Sequence, residues 1–238
     1  VEQPIGQFTE PSLLGAAVIR MKQNGYKEAL AHFMSLEGVA EFSVNVLRAQ
    51  KGQMRANYQL GNYEDALVAI EKVLSSDNLT DELEVEARLN KARINFTERD
   101  YEKAELDYEW LAAKKSTEEG AEAKFRLAQI AYSREELDGA EATVFELIKE
   151  FPASDYWKVK SFILLADVYA ARDDFFQAKA TLQSVIDNVE TSALVKEAQT
   201  KLDLIVQKEN EFMSAGDTIA APDTLDYEDE YRELIKED

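Results

Sequence analysis

Apolar positions in this chain fall three and four residues apart, the spacing of one helix face. Short polar pairs break the pattern at regular intervals, and each break belongs to a recurring phrase. The phrase reads Asn24-Gly25-Tyr26-Lys27-Glu28-Ala29, then Gly61-Asn62-Tyr63-Glu64-Asp65-Ala66, then Arg99-Asp100-Tyr101-Glu102-Lys103-Ala104. It returns as Glu135-Glu136-Leu137-Asp138-Gly139-Ala140 and as Asp173-Asp174-Phe175-Phe176-Gln177-Ala178. The alanines are 37, 38, 36 and 38 residues apart. Four residues after each comes a large apolar side chain: Phe33, Ile70, Tyr108, Val144 and Leu182.

Physical chemistry accounts for the phrase. The polar or glycine pair is turn material. The ring or leucine opens a second helix and packs back on the first. The alanine is small because two helices cross closely there, and the residue at +4 lies on the same face one turn on. About twelve positions before each alanine stands Ala17, Met54, Ala92, Ala128 or Ala166, with Met54 breaking the small-residue rule. Each unit is predicted to be helix A, tight turn, helix B. One such hairpin cannot cover its own apolar face, so the units must stack. Thr80-Asp81-Glu82 and Ser116-Thr117-Glu118-Glu119 read as helix starts, with Ser116 and Glu119 forming a capping box. From Ser192 to about Glu211 a single amphipathic helix, with Leu194, Ala198, Leu202 and Ile205 on one face, is predicted to close the array.

The phrase resembles the tetratricopeptide repeat: a small residue in helix A, a glycine–aspartate–tyrosine-like turn, an alanine, and a large residue in helix B. The fifth unit is most similar, with Leu165, Ala166, Tyr169, Asp174, Phe175, Ala178 and Leu182; the fourth carries Leu127, Ala128, Tyr132, Ala140 and Pro152. The resemblance implies an all-α, right-handed superhelix of about five helix–turn–helix repeats plus the closing helix. The implied organisation is a lead-in over 1–9, a repeat array over 10–211 and an acidic tail over 212–238. The resemblance also implies a protein-interaction scaffold, not an enzyme, that needs no cofactor. The long period and the linker Phe151-Pro152-Ala153-Ser154-Asp155-Tyr156 are similar to bacterial periplasmic and outer-membrane-associated members. A periplasmic assembly or peptidoglycan-associated factor is therefore the alternative reading, with a cytoplasmic location left open. The chain starts at Val1 and not Met, which predicts a processed form or a portion of a larger protein.

Charge narrows the partners. The 238 residues carry 47 acids against 27 lysines and arginines, a net charge of −20. Such a surface repels phosphate backbones, so nucleic acid is not an expected partner. No cysteine is present, and His32 is the single histidine. Thiolate metal sites, a cysteine nucleophile and a multi-histidine metal site are thereby excluded. No run of about 18 apolar residues exists to span a membrane. His32, beside Phe33, reads as a packing residue, and Trp110 and Trp157 as interhelix packing or rim residues.

Against this acidic background one cationic stripe stands out. In the family that the phrase resembles, helix A side chains line a concave, peptide-binding groove. On that register unit two contributes Arg48, Lys51, Arg55 and Tyr58; unit three contributes Asn90, Arg93 and Phe96; unit four contributes Arg126, Gln129 and Tyr132. Residues 48, 51 and 55 share one helix face. Two readings are open. The arginines clamp a protein or peptide partner that is acidic or offers a free carboxylate. Alternatively, they pair with acids of adjacent helices, such as Glu86 or Asp107. Residues 223–238 hold eight acids, Arg232 and Lys236, net −6, with Leu225, Tyr227, Tyr231, Leu234 and Ile235 spaced among them. That tail is either solvated or a peptide that docks on a groove.

Overall fold

The computed structural model describes residues 8–115 and 117–219, with backbone alone for 215–219. Residues 1–7 of the expected lead-in, Ser116 and the acidic stretch from 220 onward, including the 227/231/234 stripe, lie outside the described residues, while Thr9 already belongs to the first helix. The described chain is eleven α-helices and no strand. Five hairpins follow one another: α1 (Thr9–Lys22) with α2 (Tyr26–Val39), α3 (Ser43–Leu60) with α4 (Tyr63–Leu74), and α5 (Asp81–Thr97) with α6 (Tyr101–Ala112). Then come α7 (Glu118–Ser133) with α8 (Leu137–Glu150), and α9 (Asp155–Ala171) with α10 (Phe175–Asn188). The closing helix α11 spans Ser192–Ile219 and outruns the predicted end near Glu211. The first proline after Ser192 is Pro222, so nothing stops the helix sooner.

Every turn is built alike. The first residue of each polar pair is left-handed: Asn24, Gly61, Arg99, Glu135 and Asp173 have φ of 57°, 74°, 62°, 63° and 59°. The N–H of the second residue bonds the carbonyl five back in helix A: Gly25 to Arg20, Asn62 to Asn57, Asp100 to Asn95, Glu136 to Ala131 and Asp174 to Tyr169, at 2.8–3.0 Å. This Schellman closure satisfies carbonyls that the helix end would leave orphaned. The second residue is then the N-cap of helix B, and at Asp100 and Asp174 the carboxylate accepts an N–H of the first turn. Tyr63 and Tyr101 pack back on helix A, against Tyr58 and Phe96, with ring centroids 6.3 and 5.6 Å apart.

The crossing residues behave as their size requires. Ala29, Ala66, Ala104, Ala140 and Ala178 are fully buried, and so are Ala17, Met54, Ala92, Ala128 and Ala166 in the A helices. Their partners at +4 form the core between hairpins. Thr80 caps α5 as expected, accepting from Leu83 N–H. At α7 the N-cap is Thr117, not Ser116: its hydroxyl accepts from Gly120 N–H at 3.0 Å. The Phe-Pro corner is a structural joint. Phe151 is buried against Gly120, and Ser154 Oγ donates to Glu118 Oε1 at 2.7 Å.

Ion pairs stitch the hairpins together. Others act within a hairpin: between α5 and α6, the nearly inaccessible Asp107 carboxylate accepts from Arg88 Nη1 at 2.9 Å, with Lys91 Nζ 3.9 Å away. Burial pushes the Asp107 carboxyl above its ordinary value, more than Lys91 and Arg88 pull it down. Stability from this group is thus fully present below the ordinary carboxylate pKa and is lost as pH rises through the raised one. Asp107→Asn, which keeps an acceptor for Arg88, is expected to match or exceed the parent melting temperature at pH 7. Its advantage should narrow on acidification to about pH 4. A fall of more than about 3 °C at pH 7 would show that the pair outweighs the burial.

Candidate functional site

The A helices share one face of the array, and three clefts run along it. The first, of about 440 Å³ between α1 and α3, is walled by Leu14, Val18, Met21 and Phe33 and rimmed by Arg48, Lys51 and Arg55. The second, of about 610 Å³ between α3 and α5, holds Arg55, Tyr58, Glu86, Asn90 and Arg93. The third, of about 640 Å³, lies among α5, α7 and the start of α9, and takes in Phe96, Tyr108, Arg126, Tyr156 and Trp157. Met21 and Arg55 belong to the first two clefts; Tyr58 and Arg93 belong to the second and third. The three therefore form a row, the groove, in which neighbours share side chains.

Helical geometry decides which side chain faces which cleft. Asn90 and Phe96 are six residues apart, about 120° round a helix, so they face neighbouring clefts with Arg93 between. The same step separates Arg126 from Tyr132. Arg126 faces the third cleft, while Tyr132 packs in the core that contains Phe125 and Leu165. Tyr132 is thus turned away from the third cleft, as Phe96 is from the second. Gln129 holds Arg126: its Oε1 accepts from Nη1 at 2.8 Å.

The groove's cations divide into two kinds. Arg55 forks onto Glu86, with Nη2 to Oε2 at 2.6 Å, and Arg93 forks onto Glu122, with Nε to Oε1 at 2.7 Å. These hydrogen bonds hold both guanidinium groups above their ordinary pKa. At Arg55 and Arg93 the pairing alternative therefore holds. Asp107 pairs instead with Arg88, off the groove. Arg48, Lys51, Arg99 and Arg126 have no carboxylate within ion-pair distance among the described residues; Arg48 Nη1 donates only to Asn45 Oδ1, at 3.0 Å.

Arg126 has an unusual setting. Its guanidinium carbon is 4.9 Å from the Phe96 ring centroid and 5.8 Å from that of Phe125. Its buried Nε has no acceptor among the described residues. Beside it, Tyr108 is fully buried and its hydroxyl has no partner among the described residues. Burial pushes that phenol far above its ordinary value, so it stays a donor at physiological pH. Trp157 stacks obliquely on Phe125 with centroids 5.4 Å apart and meets Tyr156 edge-on at 4.9 Å. Sequence reasoning missed Arg99, Glu122, Tyr156 and the hydroxyl of Tyr108 as groove groups; Trp157, expected as an interhelix packing or rim residue, packs against the core and lines the third cleft. The +4 rule identified Tyr108 as core, which it is, but gave no sign that its oxygen borders a cleft.

Models of the tetratricopeptide repeat match residues 52–116, 98–155 and 161–192, together more than half of the chain. Among solved structures, the chain is similar to a tetratricopeptide repeat protein from Parabacteroides merdae, with a TM-score of 0.61 and 21% identity. That likeness covers 88% of this chain and 76% of the other, and it bears on the fold alone. No curated protein matches the sequence. The first hairpin lies outside the matched segments, yet it repeats their turn and their buried alanines. The small crossing residues, the left-handed turns and the sequence matches thus agree along the array: the chain belongs to the tetratricopeptide repeat family.

Proposed function

We propose that the chain is a non-enzymatic interaction scaffold that holds a peptide segment of a protein partner in the groove of its A helices. Repeats of this family mediate protein–protein interaction. The observation that carries the proposal here is the row of three neighbouring clefts that share Arg55, Tyr58 and Arg93 as lining. Such a row, with apolar walls and a few oriented donors, suits an extended or helical segment better than a small metabolite. The partner would be acidic or carry a free carboxylate. The cations left for it are Arg48 and Lys51 at one end and Arg99 and Arg126 at the other, since Arg55 and Arg93 are already neutralised.

Selection of displayed random peptides on the full chain tests this reading. The expected winners are acidic, and they bind the Arg48→Glu/Arg126→Glu double variant at least about tenfold more weakly, the loss of one or two charge-assisted hydrogen bonds. Peptides that bind parent and variant equally would move the partner site off this face.

A further inference from the structure

The third cleft has more hydrogen-bond donors than the described residues satisfy. Tyr108 offers a hydroxyl without a partner, Arg126 an Nε without one, and Arg99 a guanidinium without a carboxylate. With Arg93 cancelled by Glu122, Arg99 and Arg126 leave the cleft locally positive in a chain of net charge −20. Its walls are aromatic: Phe96, Tyr156 and Trp157. An occupant that completes this site must bring oxygen acceptors and flat rings close together.

We propose that the occupant is the acidic segment Asp226-Tyr227-Glu228-Asp229-Glu230-Tyr231 of the same molecule. The proposal rests on the reading of the A-helix face as an interaction surface and adds a competitor that the chain itself carries. Four carboxylates in six residues supply acceptors for Arg126, Arg99 and the Tyr108 hydroxyl, and the two tyrosines supply rings for Trp157 and Tyr156. Residues 220–238, nineteen in number, follow the last described helical residue, Ile219. The seven-residue step from Ile219 to Asp226 spans up to about 23 Å fully extended, more than twice the 8–10 Å between packed helices. Tethering keeps the segment at high effective concentration, so modest contacts suffice against the repulsion of the acidic body. A partner peptide must then displace the segment, which makes occupancy of the groove sensitive to salt.

Photo-crosslinking in the full chain tests the proposal. The photoreactive residue p-benzoylphenylalanine is placed at position 156, where Tyr156 is 51% exposed, and separately at position 68 on α4, where Val68 is 56% exposed. At low salt, position 156 is expected to crosslink to residues 220–238, with a yield independent of protein concentration, and position 68 is not. Arg126→Gln in the same chain should lower the yield about tenfold, and neutralising Asp226, Glu228, Asp229 and Glu230 to amides should abolish it. Arg126 is not a core residue, so a melting curve that matches the parent assigns the loss to the site. Absence of a crosslink from position 156 would overturn the proposal. So would a yield indifferent to Arg126→Gln, or one that rises with protein concentration. None of these outcomes touches selection of foreign peptides on the groove, so the two readings fail separately.

Discussion

Gly120→Ala destabilises the array by about 3 kcal/mol, although alanine is the better helix former by about 1 kcal/mol. Gly120 sits in the first turn of α7, under the Phe151 corner. A Cβ there would lie 2.5 Å from the Lys114 carbonyl oxygen, 2.9 Å from Phe151 Cε1 and 3.0 Å from Thr117 Oγ1. The first of these is backbone and cannot swing away. The second is a ring held in the core, and the third is the hydroxyl that caps the helix. Relief therefore has to come from shifting the α6–α7 connection or the α8–α9 corner, both of which join neighbouring hairpins. The melting temperature should fall by about 6–12 °C. Gly15→Ala is the control: Gly15 is exposed within α1, no atom lies within 4 Å of its added carbon, and the change should stabilise slightly. If both variants raised the melting temperature, the close approach at α7 would be refuted.

Arg93→Met is expected to cost about 3 kcal/mol, the low end for stripping a buried carboxylate of its partner. Glu122 is only 7% exposed at its side chain, while Arg93, at 35%, faces the groove. Methionine fills the same volume but leaves the carboxylate in a poorly hydrated setting with its two forked hydrogen bonds gone. The double variant Arg93→Met/Glu122→Gln removes the charge along with its partner, and most of the loss should return. A cycle of the four chains, melted at one salt concentration, gives the coupling directly. A coupling below about 0.5 kcal/mol would mean that water already solvates the pair and that Arg93 is available to a ligand after all.

How much of this was legible in the sequence depends on the range of the interaction. The hairpins were, because alanine, ring and +4 residue act within one helix pair. The turns were legible only as polar pairs. Four of the five left-handed residues are Asn24, Arg99, Glu135 and Asp173, so a search for glycine finds Gly61 alone. The backbone closure to helix A supports the conformation whatever the side chain. Glu86 was named in advance as a partner for cations of the groove; Glu122 was not. Both partners stand about 30 residues beyond their arginines, short of one full period. That offset sets a residue of one A helix beside a residue about two turns earlier in the next, and no letter in the chain encodes it. A similar offset places Tyr156 and Trp157, at the start of α9, in one cleft with Arg126.

The uniform turn makes the groove's length a quantity that changes in whole steps. Any two of the five left-handed positions are interchangeable splice points, since the backbone enters and leaves each with the same bonds. Loss or duplication of one unit of 36–38 residues joins like to like, and lengthens or shortens the row of clefts by one member. Loss of half a unit instead leaves a helix with its apolar face uncovered. A lineage of such chains can therefore vary the reach of its binding surface by recombination without redesigning a single joint.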